Sequence, residues 1–118
     1  MAEERGEPYR VVSDYRAAYP DPLKVRAGEI LRVGEPDEDN EAWVWCTGPS
    51  GKGGWMPRTY FEDNGETGTA LRDYDAAELS VEAGEELTVL EEESGWAWAR
   101  DARGRLGWVP LECVQRVG

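Results

Sequence analysis

Apolar and polar residues alternate over short stretches of this chain, and no segment keeps the 3.6-residue period of an amphipathic helix. Tyr9-Arg10-Val11-Val12-Ser13-Asp14-Tyr15 is a β-rich start. Residues 16–22 hold two prolines and no apolar period, the mark of a loop. Residues 23–29 alternate and turn at Gly28, and 30–33 read as a strand. An acidic loop at 35–41 leads to a predicted hairpin, 43–47 and 53–56, closed over 48–52. Pro57-Arg58-Thr59-Tyr60 reads as one tight helical turn before a last short strand at Phe61. The same order then recurs: a strand at 69–74, alternation over 79–83 with a turn at Gly84, a strand at 86–90, an acidic loop at 91–95, and a hairpin, 96–100 and 106–109, around 101–104.

The recurrence has a fixed register. Trp43, Trp45, Gly54, Trp55 and Pro57 return 53 positions later as Trp96, Trp98, Gly107, Trp108 and Pro110. Two copies of one small domain explain this, at 9–61 and 68–116, with a lead at 1–8 read as disordered and a linker at 62–67. Six residues span at most about 20 Å when extended, so the two copies are expected to pack against each other. Five short strands per copy, separated by turn signals, predict an all-β fold of small barrels.

Side chains alternate across a strand, which sorts the tryptophans. Val44 and Cys46, like Ala97 and Ala99, are small and belong inward. Trp43, Trp45, Trp96 and Trp98 then face outward. A turn centred on Ser50 sets Trp45 opposite Trp55 and Trp43 opposite Pro57; the equivalent turn sets Trp98 opposite Trp108 and Trp96 opposite Pro110. Such a stripe can wall a groove for a polyproline II helix, whose rings stack on flat aromatics at low entropic cost. It can also simply stabilise the sheet, at about 0.2–1 kcal/mol per cross-strand pair.

Composition narrows the partners. Of 118 residues, 25 are acidic and 13 basic, for a net charge of −12. The first copy is near balance, with 7 Lys/Arg against 8 Asp/Glu, while residues 68–114 carry 4 against 11. This argues against nucleic acid and anionic membrane, both of which demand a basic patch, and permits a basic peptide. There is no histidine, so the commonest general base and metal ligand is missing. No glycine-rich phosphate loop or metal-ligand spacing occurs, and neither catalytic residues, a cofactor nor a metal is expected. Cys46 and Cys113 fall at non-equivalent positions, and no disulfide is expected between them. Without an export signal or a run of roughly 18 apolar residues, the expected location is the cytoplasm.

Ala70-Leu71-Arg72-Asp73-Tyr74, Glu78-Leu79-Ser80-Val81, Gly84-Glu85, Gly95-Trp96 with Ala99-Arg100, and Gly107-Trp108-Val109-Pro110 together resemble the Src-homology-3 family, in its bacterial variant form. The first copy is similar at Val11-Val12-Ser13-Asp14-Tyr15 and at Pro57-Arg58-Thr59-Tyr60. The resemblance implies two five-stranded barrels in tandem, each binding proline-containing peptides in an aromatic groove. It implies groove residues Tyr15, Trp43, Trp55, Pro57 and Tyr60 in the first copy, and Tyr74, Trp96, Trp108 and Pro110 in the second. It places Asp21 and Glu78 where the family holds a basic residue of the ligand, a role suited to a charge-assisted hydrogen bond.

Three departures from the family pattern bear on function. The third residue of the opening motif, often aromatic, is Ser13 or Arg72. The groove tyrosine matched by Tyr60 becomes Cys113 in the second copy, and the nearby asparagine becomes Thr59 or Glu112. The expectation is therefore a non-catalytic interaction module that binds a basic, proline-containing segment chiefly through the first copy. A rigid assembly unit with occluded grooves, self-association, and a cell-wall-binding accessory domain are the alternatives.

Overall fold

A computed structural model describes residues 6–19 and 21–117. Among these the chain forms β1 (Glu7–Val11), β2 (Lys24–Val25), β3 (Ile30–Pro36), β4 (Trp43–Thr47), β5 (Gly53–Pro57), β6 (Phe61–Asp63), β7 (Thr67–Ala70), β8 (Tyr74–Asp75), β9 (Glu86–Glu93), β10 (Trp96–Arg100), β11 (Leu106–Pro110) and β12 (Val114–Arg116). Single 3-10 turns at Arg58–Tyr60 and Leu111–Cys113 follow Pro57 and Pro110, whose extended backbones start each turn. The architecture is all-β, with no α-helix among the described residues. Of the lead expected to be disordered, residues 1–5 lie outside the described residues, and Glu7 and Pro8 already belong to β1.

The strands do not stay within their repeats. β1 pairs with β12 and β9, both from the second repeat. β7, which opens the second repeat, pairs with β6 and β3 from the first. One five-stranded sheet therefore runs β11-β10-β9-β1-β12 and the other β5-β4-β3-β7-β6. The compact units follow this pairing. A split unit joins the described residues through Ala18 to those from Glu78 onward, and a continuous unit comprises Tyr19–Ala77. The crossings fall in the loop after each opening strand, where Tyr15 bridges Val81 and β2 pairs with β8. Loop connections leave the strand patterns intact, so either partner choice satisfies the alternation, and the alternation could not reveal the exchange.

Matching hydrogen bonds tie down both crossings. In the split unit the Ala83 N–H donates to Asp14 Oδ1 at 2.7 Å; in the continuous unit the Ala27 N–H donates to Asp73 Oδ1 at 2.9 Å. Each aspartate closes the opening motif of one repeat onto the glycine turn of the other. The expected linker, 62–67, is no tether between units. It falls within the β6–β7 hairpin of the continuous unit, where Gly65 turns at φ 102°. That positive φ is what glycine supplies without steric cost.

The hairpin registers are those expected from the sequence: Trp43 opposite Pro57 and Trp45 opposite Trp55, Trp96 opposite Pro110 and Trp98 opposite Trp108. Val44, Cys46, Ala97 and Ala99 are buried. They join Leu23, Leu31 and Met56 in the continuous unit, and Val11, Leu87 and Val109 in the split unit. Each buried aliphatic contributes about 1.5–3 kcal/mol relative to exposure, which makes these inward faces the main source of stability in each unit. The acidic stretch expected as a loop at 91–95 is different. β9 continues through Glu93 and turns back in two residues, Ser94 and Gly95, at φ 46° and 90°. A two-residue turn with both φ positive matches the twist of a hairpin, so the glutamates pair with β10 instead of looping out.

Candidate aromatic groove

The exchange re-sorts the groove residues. The sequence grouped Tyr15 with Trp43, Trp55, Pro57 and Tyr60, and Tyr74 with Trp96, Trp108 and Pro110. In the fold Tyr15 packs edge-on against Trp96, with ring centroids 5.8 Å apart and planes at 82°. Tyr74 packs edge-on against Tyr60 at 5.4 Å. The physical cause is the crossover between Ala18 and Tyr19 and between Ala77 and Glu78, which delivers each opening tyrosine to the other repeat's hairpin.

In the split unit, Tyr15 and Trp96 are both half-buried, and Trp96 lies opposite the buried Pro110 in the β10–β11 ladder. The Leu111–Cys113 turn follows, with Leu111 half-buried and Cys113 buried. Glu78 clips the two arms of the loop together. Its Oε1 accepts from the Tyr15 hydroxyl at 2.7 Å and from the Ala18 N–H at 3.0 Å, while Ser80 Oγ accepts from the Ala17 N–H at 2.9 Å. The carboxylate assigned to a ligand's basic residue is thus engaged inside the loop and fixes the Tyr15 ring.

The continuous unit is closed at the corresponding place. Trp43 is 4% exposed, Tyr74 5%, Tyr60 6%, and Pro57 is fully buried. Trp43 was expected to face outward, yet it and its neighbour Val44 are both buried, so the strand is covered on both faces at this point. The Arg72 guanidinium stacks on the Tyr60 ring, 4.2 Å from its centroid, a cation–π contact. The Tyr74 hydroxyl donates to the Trp55 carbonyl at 2.6 Å. Asp21 pairs with Lys52 at 3.0 Å, both on the surface, where such a pair is worth little.

The other tryptophans are accounted for within their own units. Trp45 packs edge-on against Trp55 at 5.2 Å and against Tyr19 at 5.2 Å. Its indole lies over Gly53, where a Cβ would come within 2.7 Å of the ring. Trp98 stacks at a tilt on Trp108, 5.3 Å away, and Trp108 is 3% exposed. Sequence reasoning missed Tyr19 and Arg72. Tyr19 stands in a proline loop without periodicity, but the arginine at an aromatic position of the motif was a visible signal.

Two further groups have shifted titration. Burial alone would raise the Asp101 pKa, but the backbone N–H of Arg105, its guanidinium and the Arg103 N–H reverse this and hold it below the usual carboxylate value. Asp101 Oδ1 accepts both N–H bonds at 2.9 Å, and Oδ2 accepts from Arg105 Nε at 2.7 Å. The Tyr9 pKa is raised, first by the hydrogen bond its hydroxyl donates to Glu92 at 2.8 Å and then by burial. Both groups are structural. Among the described residues no cluster of three or more Cys, Asp and Glu side chains is placed to hold a metal ion, and no helix is long and apolar enough to cross a membrane.

Comparison with known proteins places both repeats in one family. The family model described as "Variant SH3 domain" matches twice, over residues 8–62 and 67–117. A human protein named "SH3 and multiple ankyrin repeat domains protein 1" is 34% identical over 56 residues, and its mouse counterpart matches equally. These matches cover 45% of this chain and 3% of the length of those proteins. Two five-stranded sheets, two proline-started 3-10 turns and two family matches identify the chain as a member of the variant SH3 domain family, a family of protein–protein interaction modules.

Proposed function

We propose that this chain is a non-catalytic binding module for a basic, proline-containing peptide segment, and that the split unit carries the site. The observation behind this reading is the half-exposed Tyr15–Trp96 cleft opposite Pro110. Two half-buried, edge-packed aromatics suit the rings of a polyproline II helix, and Glu78 holds the Tyr15 wall in position. The described residues of the split unit carry 11 Asp/Glu against 6 Lys/Arg, a surplus that suits a partner carrying Arg or Lys. The first repeat was expected to dominate; the burial of Trp43 and Tyr74, where their counterparts Trp96 and Tyr15 are half-buried, favours the other groove.

Calorimetric titration of the full chain with an arginine-flanked polyproline peptide tests this. Trp96→Ala weakens binding about tenfold or more, as truncation of a central aromatic anchor does. Trp43→Ala, in protein shown to be folded, leaves the affinity within about twofold. The reverse pattern sinks the assignment.

The closed groove supports a second reading, in which the continuous unit serves assembly rather than peptide capture. Arg72 on Tyr60 and the buried Trp43 favour it. It predicts no peptide binding and a concentration-dependent increase in mass by sedimentation.

A further inference from the structure

Each repeat carries the same strands in the same order, and the family model matches each one separately. Two pairings are therefore open to the chain: the exchanged one observed, and one in which each opening strand folds back on its own repeat. Residue sizes at the seam distinguish them. In the continuous unit Ala70 of β7 lies opposite Phe61 of β6. In the split unit the same positions hold Val11 and Val114. Two residues earlier, Gly68 lies beside Leu31, and its counterpart Tyr9 beside Leu87. A small–large seam in one unit thus matches a medium–medium seam in the other.

The glycine site admits no side chain. A Cβ at Gly68 would lie 2.8 Å from the Glu62 carbonyl oxygen, 3.0 Å from Phe61 and 3.1 Å from Val33. The first of these is backbone and cannot rotate away. Tyr9, by contrast, is 9% exposed in its own seam and donates its hydroxyl to Glu92. The position equivalent to Glu92 in the first repeat is Pro36, as their pairings with Ala97 and Val44 show, and proline has no side-chain acceptor. Folding β1 back on its own repeat would set Tyr9 and Val11 against Phe61 in a seam closed to side chains. It would also leave Gly68 and Ala70 to underfill the seam at Val114. Overpacking and cavity formation both destabilise a core.

We infer that the facing pairs Ala70–Phe61 and Val11–Val114, with Gly68 and Tyr9 two residues before Ala70 and Val11, are a size code that selects the exchanged pairing, and so decides which tyrosine joins which groove. The inference does not depend on peptide binding. Cross-strand cysteine pairs in the full chain read the pairing directly. Arg10→Cys with Gln115→Cys reports the exchanged fold, because residues 10 and 115 are partners in β1–β12. Arg10→Cys with Glu62→Cys reports the alternative, because Glu62 holds the corresponding place in β6. Oxidation of dilute protein, followed by digestion and mass spectrometry, gives an intrachain 10–115 link exceeding the 10–62 link by about tenfold or more.

Reversing the code with Tyr9→Gly, Val11→Ala, Gly68→Tyr and Ala70→Val inverts the ratio. A reversed-code protein that still links 10 to 115 overturns the inference, as does a parent that links 10 to 62. If the reversed code does not fold, a thermal-melt cycle of Gly68→Ala and Phe61→Val decides. The alanine lowers the melting temperature less when Phe61 has been trimmed, whereas additive shifts overturn the code.

Discussion

Tyr15 and Glu78 lie 63 residues apart, in different repeats, yet a 2.7 Å hydrogen bond joins the tyrosine hydroxyl to the carboxylate. The same oxygen also accepts the Ala18 N–H. Two donors converging on one partly buried oxygen make a clip across the crossover loop. Tyr15→Phe and Glu78→Gln each lower stability by about 0.5–1.5 kcal/mol, the net worth of a typical hydrogen bond. Because they break one interaction, their effects are non-additive, and the double variant loses less than the sum. Urea denaturation of the four proteins measures this coupling; strict additivity contradicts the clip.

Asp101 makes the fold sensitive to acid. Its pKa is lowered in the folded state, so the stability it contributes is present above the ordinary value of 3.8 and disappears as pH falls through the lower folded value. The carboxylate is 2% exposed and satisfies three donors at the tip of the β10–β11 hairpin. Denaturation midpoints measured from pH 7 down to about pH 2 should fall more steeply for the parent than for Asp101→Asn. Asp101→Asn itself is less stable at neutral pH, since an amide is a weaker acceptor for the arginine.

Tyr9 sets the opposite limb. Its pKa is raised above 10.0 because the neutral hydroxyl donates to Glu92. That stability is complete below pH 10.0 and is lost as pH rises through the raised folded value. Tyr9→Phe cannot ionise at this position, so its loss of stability between pH 9 and pH 11, about the range of tyrosine titration, is shallower than that of the parent. Circular dichroism melts at fixed ionic strength check this, and parallel curves for the two proteins count against it.

Much of this architecture was legible from alternation and spacing. The hairpin registers at Trp43–Pro57 and Trp96–Pro110 followed from one turn centre, and the inward Val44, Cys46, Ala97 and Ala99 from side-chain parity. Strand exchange was not legible in the same way, because β1 and β7 present the same parity to either sheet. The difference lay in volume, with Gly68 where the other strand carries Tyr9, and volume matters only once the facing Phe61 is known. The burial of Trp43 escaped for a related reason. Parity tells which face a side chain takes, but not whether that face meets water.

Cys46 is set to be inert. Burial, reinforced by the negative charge of Asp63, pushes its thiol up to about 12, so almost no thiolate forms at neutral pH. In a Cys113→Ser protein at pH 8, a disulfide reagent modifies Cys46 only through opening of the continuous unit. Its rate therefore rises with sub-denaturing urea in step with local unfolding. Rapid modification without denaturant means the side chain is not packed as described.

The continuous unit has a consequence for truncation. Residues 19–77 contain β2 to β8, including β7 in place of an N-terminal opening strand, and so hold one complete sheet in an unbroken segment. They amount to a domain whose ends lie in the loop after the opening strand, with β6 and β7 joined through the Gly65 turn. The segment 9–61 has the order expected from the sequence repeat, but must fit Tyr9 into the place of Gly68, where no Cβ has room. Expressed separately, 19–77 should unfold cooperatively, with a higher melting temperature than 9–61. A difference of about 1–3 kcal/mol is expected from one overpacked seam, enough to shift a domain this small by about 4–8 °C or more per kcal/mol. Equal stabilities would show that either opening strand completes the sheet equally well, and that neither Gly68 nor Phe61 governs the choice.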